Sequence, residues 1–214
     1  MRARLVAIQV GQPRPQVAKE KEGGETWVSG YGKEPVDGEV FVGRLNLDGD
    51  GQADKRWHGG PDMAVLAYAN AHYARWRAEL AWPAAGPGAF AENFTVDGAD
   101  EQSACVGDIW QVGAARLQIS EPRKPCRNIS RFWGREDLLR LTEQSGRFGW
   151  YLRVLREGRV RAGQEIELIE RPHPEWTVAR AMAARRNKAR DRATAQRLAA
   201  CPALGADWRE KLLE

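Results

Sequence analysis

Apolar and polar residues alternate with a period of two in short runs across the first 170 positions: residues 5–10, 36–42, 108–112, 115–120 and finally 165–169. That period puts every second side chain on one face of a pleated strand, and the Gly, Asp and Pro residues between the runs supply turns. The pattern predicts a mainly β fold with some α, a closed or strongly curved antiparallel sheet rather than alternating βαβ units. Two helical interruptions are expected. One begins near Pro61 and carries Ala64, Tyr68, His72 and Trp76 at four-residue spacing; the other runs from about Gly134 to Gly146 with Leu138, Leu139 and Leu141. At His173-Pro174 the pattern changes, because proline breaks a strand ladder and suits a first helical turn. Residues 175–214 are rich in Ala, Arg and Leu and predict about three helices, with breaks near Cys201-Pro202 and Gly205. The expected division is a β-barrel domain over residues 1–170 and a helical module over residues 171–214.

Composition narrows the class. The 214 residues are 43% hydrophobic and 29% charged, and no apolar run reaches the ~18 residues that span a bilayer. The N-terminal residues turn polar too soon for a signal peptide, so a cytoplasmic protein with no membrane partner is expected. A net charge of +4 suits an anionic ligand but discriminates little. Cys105, Cys126 and Cys201 are widely spaced, as are His58, His72 and His173. Neither a disulfide framework nor a common zinc pattern is encoded, so a metal would arrive inside a cofactor.

Several motifs carry candidate chemistry. Cys126 follows an alternating run within Pro122-Arg123-Lys124-Pro125-Cys126-Arg127-Asn128. Neighbouring cations favour its thiolate, the form that attacks electrophiles or ligates soft metals, and two prolines stiffen the loop; a charged surface turn is the plainer alternative. In Lys55-Arg56-Trp57-His58-Gly59-Gly60-Pro61-Asp62, paired glycines allow close backbone approach, while Lys55, Arg56 and His58 offer donors to a phosphate; a glycine-rich turn is the alternative. Asp48-Gly49-Asp50 opens like a calcium loop, but the twelfth position is Gly59 rather than the required Glu, which favours a turn. Cys105 reads as a small buried hydrophobe and His72 as core. The basic stretch from Arg180 to Arg197 is either a solvated helix face or a docking surface for an anionic partner.

Taken in order, Lys33-Glu34-Pro35-Val36, the Asp50-to-Asp54 and His58-to-Asp62 blocks, Glu92-Asn93-Phe94-Thr95 and Pro122-Arg123-Lys124-Pro125-Cys126 resemble the MOSC family, the β-barrel domain that also ends the molybdenum-cofactor sulfurases. The similarity extends to the YiiM-like branch, whose three-helix extension opens with a segment like Pro174-Glu175-Trp176-Thr177-Val178-Ala179-Arg180. The resemblance implies a MOSC-type closed barrel, a bound molybdenum cofactor, and reduction of N-hydroxylated compounds, including hydroxylamino purine analogues, to amines. At family level it also brings pyridoxal phosphate binding and detoxification into view. Cys126 is the implied metal ligand and, with His58, the implied catalytic pair. Lys55, Arg56, His58, Gly59, Gly60, Asn93, Arg123, Lys124 and Asn128 are the expected cofactor-binding residues, with Arg127 offsetting charge and Tyr68 as a further orienting group. His58 and His72 are the candidates for proton donation. One departure stands out: the family's glycine before Glu-Asn-Phe is Ala91 here, a strained choice if that position has positive φ.

Reducing R–NHOH to R–NH2 and water takes two electrons and two protons, which side chains alone do not supply. Gly30-Tyr31-Gly32 lacks the third glycine of a nicotinamide fingerprint, so electrons are expected from a partner reductase. A non-catalytic carrier of the cofactor or of sulfur on Cys126 would share these residues. Nucleic-acid binding is disfavoured because the basic tail lacks an aromatic stacking signature, and a cysteine hydrolase because no His partner is fixed by sequence.

Overall fold

In the computed structural model, which describes residues 2–19 and 24–214, the alternating runs become strands that close on themselves. In chain order these are β1 (Ala3–Val10), β2 (Arg14–Val17), β3 (Thr26–Ser29), β4 (Glu34–Pro35), β5 (Glu39–Val42), β6 (Val65–Ala69), β7 (Phe94–Asp97), β8 (Ile109–Val112), β9 (Ala115–Pro122), β10 (Trp150–Arg156), β11 (Gly158–Arg161) and β12 (Glu165–Glu170). Hydrogen bonding follows the order β12-β8-β9-β10-β6-β7-β1, and Ala3↔Ile166 and Arg4↔Glu165 pair β1 back to β12, so seven strands form a closed barrel. The short β4 adds to β1, while β5–β11 and β2–β3 are separate ribbons. Closure removes the unpaired edges that an open sheet would expose.

The helices are α1 (Lys55–His58), α2 (Ala71–Leu80), α3 (Asn128–Trp133), α4 (Leu138–Ser145), α5 (Val178–Arg186), α6 (Arg192–Ala199) and α7 (Ala206–Leu213). The helix expected from Pro61 is therefore a correction. Pro61–Met63 is a single 3-10 turn, Val65–Ala69 is strand β6, and only Ala71–Leu80 is helical. Every residue of β6 is buried, because the strand lies between β10 and β7 with packing on both faces. A strand buried on both faces shows no alternation, and its apolar run mimics a helix.

Two apolar clusters fill the molecule. The first joins barrel residues such as Leu5, Phe94, Leu117, Trp110 and Trp150 to Val178, Leu198, Trp208 and Leu212 of α5–α7, so barrel and helices share one core. Trp110 and Trp150 meet edge to face with ring centroids 6.0 Å apart, a favoured aromatic geometry. The second cluster, outside the barrel, packs Tyr68, Tyr73, Trp76 and Phe90 against Ile129 of α3 and Leu138 of α4. Thr177 caps α5 by accepting from the Arg180 N–H (3.2 Å), and Asp191 caps α6 by accepting from the Thr194 N–H (3.0 Å), which satisfies otherwise free helical donors.

Where α7 meets β9 the seam is polar. Glu121 is 1% exposed and its Oε2 has no hydrogen-bond partner. A Cβ on Gly205 would lie 2.1 Å from that oxygen, so any side chain there would displace the carboxylate. Burial, with Asp62 and Asp207 nearby, pushes the Glu121 carboxyl up to about 8 against the opposing pull of Arg185 and Arg153. Because the folded group holds its proton far more tightly than the ordinary value of 4.5, its stabilising contribution is complete below that value and is lost as pH rises toward 8. Glu121→Gln is expected to flatten the decline of melting temperature between pH 5 and pH 9; a slope equal to that of the parent protein would contradict this account.

Candidate functional site

A cavity of about 300 Å³ opens between the loop after β3, the turn at residues 51–54, the end of α1 and the segment joining β9 to α3. Cys126 lies in that last segment. Pro122 ends β9 and Pro125 precedes the cysteine, so the chain leaves the barrel stiffly before turning into α3. Burial is the largest influence on the Cys126 thiol and disfavours its charged form. The neighbouring His58, the charge of Arg123 and the Asn128 backbone N–H together outweigh it, so the thiol titrates below its ordinary value. Burial instead raises the thiols of Cys105 and Cys201.

Arg123 is buried and lines the same cavity as Cys126. Its Nη2 donates to Tyr31 Oη at 3.0 Å, and its Nη1 has no partner. Burial raises the Tyr31 and Tyr151 phenols, the latter to about 12, so both keep their protons and line the cavity as hydroxyl groups. An unmatched guanidinium N–H beside a lowered thiol and two phenols makes a pocket for an anionic or strongly polar ligand.

The opposite wall hangs on Asp50. Its carboxylate pairs with the buried Lys33 ammonium and accepts from the Gly11 N–H (2.9 Å) and from Asn93 Nδ2 (2.9 Å). Asn93 Nδ2 also donates to the Gln9 carbonyl (3.2 Å), while its Oδ1 accepts from the Leu66 N–H (3.0 Å), so this amide braces β1 against β6. Burial lowers the Lys33 pKa and Asp50 opposes that shift. Next along the chain, Glu92 accepts from Tyr73 Oη, the Gly88 and Phe90 N–H groups and Thr95 Oγ1, which fixes the loop before β7. Within that loop Ala91 has φ 59°, the left-handed conformation that favours glycine.

Of the residues expected from sequence, His58, Asn93, Arg123, Lys124, Cys126 and Asn128 meet in this cavity. Lys55, Arg56, Gly59 and Gly60 do not line it: the two cations are exposed on α1, and the glycines shape the turn, with Gly60 at φ 98°. Arg127 is also outside the wall. Tyr68 is buried in the aromatic cluster, accepting from Trp76 Nε1 (2.6 Å) and donating to the Arg147 carbonyl (3.2 Å). His72 is buried against Glu101 (Nε2–Oε2 2.6 Å) and lines no part of the cavity. Tyr31, Lys33, Asp50 and Tyr151 were not among the expected site residues. Lys33 and Asp50 both lay within quoted family blocks, which was the available signal.

Three outcomes follow from these contacts. Cys126 should be alkylated faster than Cys105 or Cys201 at neutral pH, read by peptide mass spectrometry. Asp50→Asn should cost on the order of 3–5 kcal/mol in denaturant unfolding, because Lys33 would keep a buried charge without its partner. Ala91→Gly should gain about 0.5–1 kcal/mol by relieving the left-handed backbone, less the extra entropy that glycine loses on folding.

Comparison with known proteins agrees with this architecture. Residues 54–167 match the MOSC domain, and residues 176–214 match the YiiM-like, 3-alpha helix domain. The chain is 33% identical over 210 residues to the uncharacterized protein YflK of Bacillus subtilis, covering 98% of this chain and 93% of that protein. It is 38% identical over 184 residues to a protein named reductase from Gibberella moniliformis, covering 81% of this chain but only 31% of that protein. The crystal structure of YiiM from Geobacillus stearothermophilus superposes with a TM-score of 0.82 at 31% identity, covering 99% of this chain and 100% of that one. A closed barrel with a cysteine-centred cavity and three trailing helices, matched over nearly its whole length, places this chain in the MOSC family, with the YiiM-like helical domain at its C-terminal end.

Proposed function

We propose that this protein is a molybdenum-cofactor-dependent reductase that converts N-hydroxylated compounds, among them hydroxylamino purine analogues, to amines. The observation that carries the reading is the lowered thiol of Cys126 beside the unmatched Nη1 of Arg123 in one cavity. The reductase name of a partial relative supports the reaction class. The donor set fits such a group. Among the described residues no cluster of three or more His, Cys, Asp and Glu could hold a bare metal ion; Cys126 would be the protein's ligand to a metal carried in by a cofactor. A soft thiolate suits that metal, and Arg123 and Lys124 offset the added negative charge.

When bound, the cofactor would supply the two-electron redox step, with electrons delivered by a partner reductase protein. The chain's own residues do the rest. Cys126 would hold the metal from a loop stiffened by proline, and Arg123 would offset the charge of its thiolate. Tyr31 and Tyr151 keep their protons and orient a polar substrate as hydrogen-bond donors. His58, the imidazole in the cavity wall, is placed to hand a proton to the departing hydroxyl.

The test is direct. Protein from a cofactor-competent host should contain molybdenum and reduce a hydroxylamino purine with an artificial donor. Cys126→Ser should lose both properties at an unchanged melting temperature, whereas Cys105→Ser and Cys201→Ser should keep them. Parental molybdenum content and turnover in Cys126→Ser would remove the assignment; molybdenum retained without turnover in the parent would make the protein a carrier.

A further inference from the structure

Trp57 is 55% exposed and immediately precedes His58, a residue of the cavity wall. One indole left in water needs no explanation by itself. This one is the centre of a charged surface built from three separate stretches of chain. The Arg56 guanidinium and the Lys211 ammonium of α7 each stand 5.4 Å from its ring centroid. From Lys211 the surface continues into the connection between α5 and α6. Lys188 Nζ donates to the Lys211 carbonyl (2.6 Å) and Arg192 Nη2 to the Leu213 carbonyl (3.0 Å), and Leu213 is itself 54% exposed. Arg56, Lys188 and Arg192 have no carboxylate partner among the described residues. Two nearby acids are already engaged: Asp54 caps α1 by accepting the Arg56 N–H (3.1 Å), and Asp207 pairs with Lys211 (2.5 Å). Glu210 and Glu214 are the exposed acids that remain at the end of α7.

We infer, resting on the reductase reading above, that this surface docks the acidic face of the protein that donates electrons to the site. A donor must bring its redox group close to the cavity, and Trp57 is one residue from the cavity wall. Trp and Arg are the side chains that most often carry the energy of an interface, and the exposed Leu213 adds apolar area beside them. Cations without partners steer an acidic protein toward this face and orient it there. A nucleic acid fits less well. An indole already attended by two cations is no open platform for stacking a base. A folded partner can also set a cation against Glu210 or Glu214, which a phosphate chain cannot do.

The probe is a bacterial flavodoxin, a small acidic flavoprotein whose reduced form gives up one electron at a time. Two reduced flavodoxins are oxidised for each N–O bond broken, two protons come from solvent, and the amine and water leave. Full-length protein from a cofactor-competent host is used throughout. Its affinity for oxidised flavodoxin is measured by calorimetry at low and high salt, with melting temperature in parallel. Turnover is followed with reduced flavodoxin and, separately, with reduced methyl viologen, a small cation that needs no docking surface. Trp57→Ala and Arg192→Glu should each weaken flavodoxin binding by about tenfold at low salt. Arg192 is the first residue of α6, where the helix dipole favours an acid, so the reversal keeps the fold. Arg192→Glu should also slow flavodoxin-driven turnover and leave viologen-driven turnover parental. Arg159→Glu, on the separate β5–β11 ribbon, makes the same change in net charge and should bind as the parent does. Absence of flavodoxin binding by the parent, parental affinity in Trp57→Ala and Arg192→Glu, or equal weakening in Arg159→Glu would each overturn the docking site. So would binding of a single-stranded oligonucleotide through Trp57 and Arg192 in place of flavodoxin. Loss of viologen-driven turnover in the parent would instead remove the reductase reading, while the binding measurements still decide whether an acidic protein is recognised here.

Discussion

A carboxylate taken out of water must find donors nearby, and at Asp50 that requirement gathers four separate stretches of chain. The Gly11 N–H, the Lys33 ammonium and the Asn93 amide converge on its two oxygens, while Gln12 Nε2 donates to its carbonyl at 3.0 Å. Asn93 passes the constraint on to β6 through the Leu66 N–H. One wall of the cavity is thereby fixed by electrostatics rather than by apolar packing. Such a network is stable only when complete, because every unmatched member would be stranded in a low-dielectric setting.

The facing wall is poised differently. Burial works against charge on Cys126, and His58, Arg123 and the Asn128 N–H overturn it. Arg123 contributes while leaving Nη1 unmatched, which an anionic ligand would correct. Lys33 and Asp50 are thus already satisfied by each other, whereas Arg123 and Cys126 keep capacity for something from outside. That difference separates scaffold from reactive surface within a single cavity.

The sequence displayed this division unevenly. Alternation located β1, β8, β9 and β12, and the compositional shift after His173 located the helical end, because both signals are local. The alternating burial of Trp150–Arg156 was equally local and could have been read as a strand. β6 could not, since its neighbours on both sides come from distant chain and erase the period. Cys126 and Arg123 announced themselves through adjacent charge. Asp50 looked like a failed calcium loop because its real partner, Lys33, stands 17 residues away. Tyr31 lay in a Gly-Tyr-Gly stretch weighed only as a nucleotide fingerprint, and nothing nearby in sequence signals its hydrogen bond with Arg123, 92 positions on. Lys55 and Arg56, whose charge beside glycine suggested a phosphate cradle, are exposed on the short α1 and do not line the cavity.

Among the barrel's pairings, β6 and β7 alone run parallel. Parallel neighbours cannot be joined by a tight hairpin; the chain must travel back along the sheet before the second strand begins. Here the return path is α2 and the loop through Glu92, whose apolar side chains become the aromatic cluster outside the barrel. The second core is therefore a topological debt of one strand pair. During folding, β6 and β7 come together only once that excursion has been closed, a step of larger chain entropy than the β8–β9 hairpin requires. The Asn93 brace, bonded to Gln9 and Leu66 at separations of 84 and 27 residues, lies where that excursion rejoins the barrel, so the wall that holds the cavity in register is completed only when the excursion closes.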